Sequence, residues 1–104
     1  MGVRFPLPLP QAVYTLVASQ MYYVYILQSK KDQGLYIGYT HNLRKRLSEH
    51  NKGMVRSTKT RLPLTLVHYE GFISQQDALN TEKYLKTTRR WERINRMLEE
   101  TLRL

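Results

Sequence analysis

The sequence predicts an α+β domain. A small three-stranded antiparallel sheet, at about residues 22–28, 35–40 and 64–70, is flanked by helices at about 42–51, 75–87 and 90–102. Three observations predict it. Two runs of aromatic and β-branched residues in period two, Tyr23-Val24-Tyr25-Ile26-Leu27 and Leu35-Tyr36-Ile37-Gly38-Tyr39, face each other across a short polar turn. A third such run, Leu64-Thr65-Leu66-Val67-His68-Tyr69, follows a basic stretch without periodicity. Elsewhere the apolar residues recur at three- and four-residue intervals, the spacing of one helix face.

Taken in order, residues 1–20 differ from the rest. Pro6, Pro8 and Pro10 prohibit helix and interior strand, and only residues 12–18 are mildly apolar, so this stretch is expected to be a poorly ordered extension. Met21 stands directly before the first strand, and the working domain is expected to occupy 21–104. In the first turn, Ser29-Lys30-Lys31-Asp32-Gln33-Gly34, the lysines, Asp32 and Gly34 supply the turn chemistry. Thr40 or Asn42 can cap the first helix and Gly53 closes it, with Leu43 and Leu47 as its buried stripe. Lys52 to Pro63 reads as a basic loop. Ser74 opens the second helix with a capping box to Asp77, and Ala78, Glu82 and Leu85 fall on its inner face. In the last helix Trp91, Ile94, Met97, Leu98 and Leu102 recur with a helical period.

A chain of 104 residues has room for one hydrophobic core and not two. No apolar run approaches the roughly 18 residues that a membrane-spanning helix needs. The absence of cysteine excludes disulfides, thiolate zinc sites and a cysteine nucleophile, and leaves the cytoplasm as the default compartment. Charge is more informative. Seventeen Lys and Arg against eight Asp and Glu give a net +9, which points to a polyanionic partner. The excess lies in two segments. Between His41 and Leu62 stand Arg44, Lys45, Arg46, Lys52, Arg56, Lys59 and Arg61 against Glu49; the segment from Lys83 to Arg96 includes Lys86, Arg89 and Arg90. Neither carries the bulky apolar face that inserts into lipid, so nucleic acid is the expected partner and a membrane is not.

Three polar features sit where apolar ones are expected: a tyrosine-rich hairpin, Arg46 with His50 beside the stripe of the first helix, and Glu82 within that of the second. A polar group on a buried face is either satisfied locally or kept for function.

These residues carry a resemblance. Residues 22–86 resemble the GIY-YIG nuclease superfamily, most closely its small stand-alone bacterial members. Tyr23-Val24-Tyr25 stands at the first triplet, with Tyr23 in place of its glycine, and Tyr36-Ile37-Gly38 is the second triplet intact. Asn42-Leu43-Arg44-Lys45-Arg46-Leu47 matches the helix that bears the family's catalytic arginine, here Arg46, and His50 matches a histidine found in many members. The segment from Ala78 to Lys86 matches the one carrying the metal-binding glutamate, here Glu82.

The resemblance implies a metal-dependent endonuclease that hydrolyses DNA with one Mg²⁺ (or Mn²⁺) held by Glu82, water and substrate. Arg46 would offer its planar fork to the scissile phosphate. Tyr25, Tyr36 and His50 would position or deprotonate the attacking water, Tyr25 being favoured as base once Arg46 or the metal lowers its pKa. Gly38 would allow close backbone approach to substrate or helix. Arg44, Lys45, Lys52, Arg56, Lys59, Arg61, Lys86, Arg89 and Arg90 would bind flanking phosphates. The rival reading is a binding module for DNA or RNA on the same fold, without cleavage. The oligomeric state is open.

Overall fold

A computed structural model describes residues 21–104, except for the side chains of 88–91. The expectations for residues 1–20, for the side chains of Arg89 and Arg90, and for the packing of Trp91 therefore lie outside the described residues. The order of elements is β1 (Tyr22–Ser29), β2 (Leu35–Thr40), α1 (Leu43–Asn51), β3 (Leu64–Phe72), α2 (Gln75–Leu85) and α3 (Thr88–Met97), followed by a short 3₁₀ turn at Thr101–Arg103. This is the predicted α+β fold, a three-stranded antiparallel sheet with helices. The last helical segment starts earlier than its periodicity implies and stops at Met97, which is exposed, and not at Leu102.

The sheet order is β2-β1-β3, which puts β1 in the middle with antiparallel partners on both sides. A central strand covered on both faces has no solvent side. Tyr23 to Ser29 are accordingly all buried, phenols included. On one face Val24, Ile26 and Ile37 pack with Ala78 and Leu85 of α2 and Ile94 of α3. On the other, Tyr23, Tyr25 and Leu27 pack with Leu43 of α1, with Tyr36, Leu47, Leu64, Leu66 and Tyr69 half-buried around them. Cross-strand partners share a face, so the pairs Tyr25–Gly38 and Leu27–Tyr36 put both motif tyrosines on the α1 side.

The partner of Ile26 on β3 is His68, while that of Leu27 is Leu66. One residue of β3 is thus extra, a bulge that lets Leu66 and Tyr69 share the α1 face although they are three apart.

Local chemistry closes the elements. Asn42, one of the two candidate caps, accepts from the Lys45 amide at 3.1 Å. Gly53, at φ 72°, ends α1 by donating to the His50 carbonyl. Ser74 accepts from the Asp77 amide, as its capping box implies. In the first turn the left-handed residue is Gln33 and not Gly34. Ser29 Oγ organises this turn, accepting from the Lys31 and Asp32 amides while donating to the Arg61 carbonyl at 2.7 Å. Among the described residues no helix is long and apolar enough to cross a membrane.

Candidate active site

Tyr25 leaves the centre of β1 towards α1 and is 1% exposed. Its hydroxyl lies 2.8 Å from Nε2 of His50, which α1 supplies from its last turn. His50 is equally sealed, and its Nδ1 lies 2.7 Å from the hydroxyl of Thr58, a fully buried residue of the basic loop. Tyr36 completes the cluster from β2. Its ring is 6.3 Å from that of Tyr25, and the His50 ring stands edge-on to both, at 5.6 Å from Tyr25 and 5.2 Å from Tyr36. Tyr36 is half-buried and is the more accessible of the two phenols.

Arg46, one turn before His50, reaches the Tyr25 hydroxyl closely enough to hold its pKa down, and it also pairs with Glu49 at 3.3 Å. Burial lowers the pKa of Arg46, but the hydrogen bonds to Tyr25 and Glu49 more than restore it, so the guanidinium is a fixed cation. Glu82 approaches from α2. Its carboxylate is near enough to raise the pKa of Tyr25, and it pairs with Lys86 at 3.2 Å.

The balance of these effects sets the state of Tyr25. Arg46 does favour the Tyr25 phenolate, but burial outweighs it, with Tyr36 and Glu82 adding repulsion, and the Tyr25 pKa is pushed up to about 12. Tyr25 is a phenol at neutral pH. Burial, followed by the charge of Arg46, pushes the His50 pKa down to about 4 against the opposing influence of Glu49. His50 is therefore a neutral imidazole.

Gly38 has a packing role. It is the cross-strand partner of Tyr25, and a Cβ there would fall on the Tyr25 ring, 2.9 Å from Cε1 and closer still to Cζ and the hydroxyl. The glycine makes room for the phenol.

Arg46 brings the cluster to an open cleft. This cleft, of about 290 Å³, is lined by Thr40, His41, Asn42, Lys45, Arg46 and Glu49 together with Tyr39. Of the proposed catalytic residues it takes Arg46 alone. Tyr25 and His50 lie behind that arginine.

The basic residues fall into two groups. Arg44 and Lys45 of α1, and Lys52, Arg56 and Lys59 of the loop, are exposed. Arg61 is held in a fork on Asp32, Nε to Oδ2 at 3.1 Å and Nη2 to Oδ1 at 3.3 Å, and ties the loop to the first turn. Lys86 is held by Glu82.

Glu82 is the carboxylate of the expected site that could hold a divalent metal. Glu82 is partly exposed, Lys86 pairs with it, and no group of three or more His, Cys, Asp or Glu occurs among the described residues. One hard oxygen donor fits an ion that keeps most of its waters, as magnesium does, and does not fit a structural zinc.

Thr58, Glu49 and Ser29 have structural positions that the sequence does not announce. Thr58 lies in a loop without periodicity, eight residues beyond its histidine partner, and only the fold brings the two together.

Comparison with known proteins gives the same family. The model of the GIY-YIG catalytic domain matches residues 21–95. A UPF0213 protein of Staphylococcus haemolyticus is 42% identical over 80 residues, which cover 76% of this chain and 95% of that protein. One of Clostridium perfringens is 37% identical over 84 residues, 80% of this chain and 89% of its own. The solution NMR structure of a UPF0213 protein from Bacillus halodurans is 32% identical, with 74% of this chain and 84% of that one covered at a TM-score of 0.49. A match to the domain model over 21–95 includes every side chain of the cluster, and the chain belongs to the GIY-YIG catalytic domain family.

Proposed function

We propose that this protein is a DNA endonuclease that hydrolyses phosphodiester bonds by a one-metal mechanism. Membership of a nuclease family supports the class of reaction. The observation that carries the reading is the meeting of Tyr25, Tyr36, Arg46 and His50 on one face of the sheet, with the Glu82 carboxylate electrostatically coupled to them. A module that only held a polyanion would gain nothing from a carboxylate there.

In this reading Arg46, a cation at the rim of the cleft, exchanges Glu49 for the scissile phosphate and neutralises the charge that grows on its oxygens. The sealed position of Tyr25 supports a holding role, with its hydroxyl against Arg46. The half-buried Tyr36 takes the water-facing role and orients the nucleophile. Magnesium or manganese, held by Glu82 with water and substrate oxygens, supplies charge neutralisation at the phosphate when bound. Arg44, Lys45, Lys52, Arg56 and Lys59 bind flanking phosphates, and cytoplasmic DNA is the expected substrate.

The test uses purified protein with branched, nicked, single-stranded and duplex DNA in Mg²⁺ or Mn²⁺, beside Glu82→Ala and Arg46→Ala. Cleavage by the wild type that both substitutions abolish is expected. Binding without cleavage of any substrate, or cleavage undiminished in both variants, overturns the assignment.

A further inference from the structure

We propose that Thr58 is a positioning residue for the site: its hydroxyl accepts a hydrogen bond from Nδ1–H of His50 and so holds the tautomer whose bare Nε2 accepts from the Tyr25 hydroxyl, which leaves the lone pairs of the Tyr25 oxygen towards Arg46.

Thr58, His50 and Tyr25 form one chain, with contacts of 2.7 Å and 2.8 Å, and all three are at most 1% exposed. Bulk solvent does not reach either end. A neutral imidazole has one donor and one acceptor nitrogen, so fixing one end fixes the other. The direction is set at the far end by Arg46, whose guanidinium is within reach of the Tyr25 hydroxyl and only donates. Facing that cation, the Tyr25 oxygen presents lone pairs, and its proton goes the other way, to His50 Nε2. Nε2 is then the bare nitrogen and Nδ1 carries the hydrogen, which Thr58 Oγ1 accepts. The depressed pKa of His50 agrees, since the arrangement needs the imidazole neutral.

The reverse arrangement, with Nε2 protonated and donating to Tyr25, would leave the phenol proton pointing at the guanidinium side. That costs electrostatically in a buried site. The chain therefore links the basic loop to the residue that aims the arginine. The loop itself is pinned at Thr58 and Arg61, through His50, Asp32 and Ser29, while Arg56 and Lys59 beside Thr58 stay exposed.

The effect on cleavage rests on the nuclease reading; the tautomer does not. The primary measurement is accordingly the pair of ¹⁵N shifts of the His50 ring in the intact protein, without DNA or metal, near neutral pH. The wild type is expected to show a protonated Nδ1 and a bare Nε2, and Thr58→Ser to preserve that pattern. Thr58→Val, of the same shape without the hydroxyl, is expected to shift the population towards protonated Nε2. In cleavage assays Thr58→Val is expected to lower kcat by about tenfold, with KM within about twofold, and Thr58→Ser to stay within about threefold of wild type.

A wild-type His50 that carries its proton on Nε2 overturns the proposal, with no variant required. So does a Thr58→Val protein whose ring shifts match the wild type, or whose loss of rate Thr58→Ser shares equally. If the tautomer pattern is as expected and no DNA is cut by any form, the nuclease reading falls while the positioning chain stands.

Discussion

The ring of Tyr25 lies across Gly38, its cross-strand partner, in the space that a side chain at position 38 would fill. The second motif glycine is thereby tied to the first motif tyrosine. Two short strings that look independent in the sequence are one packing unit, and the tyrosine hydroxyl is delivered to His50 because the neighbouring strand has no Cβ in its way.

Gly38→Ala is therefore expected to displace the Tyr25 ring. Overpacking of this kind costs about 1–3 kcal/mol, to be read from urea denaturation. Cleavage should fall further than in a control variant of equal stability, because the hydroxyl moves with the ring. Retention of full activity and stability would show that the ring has room to shift.

His50 makes stability depend on pH. Its folded pKa of about 4 lies below the ordinary 6.5, so between these values the unfolded chain binds more protons than the native one. Stability is fully present above pH 6.5 and is lost as pH falls towards 4. The contribution is up to about 3 kcal/mol, to be read from denaturation midpoints across that window. His50→Gln should flatten the slope there.

Glu49 holds Arg46 in a partly exposed pair at 3.3 Å. Glu49→Gln should leave stability within about 1 kcal/mol, as is usual for such pairs. DNA affinity by fluorescence anisotropy should rise, since the guanidinium no longer has to leave a carboxylate. Unchanged affinity would mean that Arg46 does not meet phosphate.

Arg46→Lys keeps the charge and loses the fork. Cleavage is expected to fall by about a hundredfold while DNA affinity changes by less than about threefold. Equal losses in both would place Arg46 among the general phosphate contacts.

The exposed loop cations are the opposite case. Arg56→Ala and Lys59→Ala should each reduce the slope of log affinity against log salt by about 1, with affinity lowered alike for all sequences. Arg61→Ala should act otherwise, by freeing the loop from Asp32, because its guanidinium is already engaged.

Much of the fold was legible because short-range patterns decide it. The period-two runs are strands, the caps at Asn42 and Ser74 and the glycine at 53 close helices, and Arg46 with His50 stood out beside an apolar stripe and Glu82 within one. The protonation of Tyr25 was not legible. It depends on burial, on Arg46 and on Glu82 together, and burial decided it.

The sequence by itself determined which segments are strands and helices, and which side chains have the chemistry to act on a phosphate, since periodicity and residue type are local. Only the tertiary structure decided that β1 is the central strand, that a bulge in β3 brings Tyr69 and Leu66 to one face, and that Thr58 completes the chain behind Tyr25. These depend on contacts between residues far apart in the chain. Burial and hydrogen-bond partners there are set by packing, which no local pattern encodes.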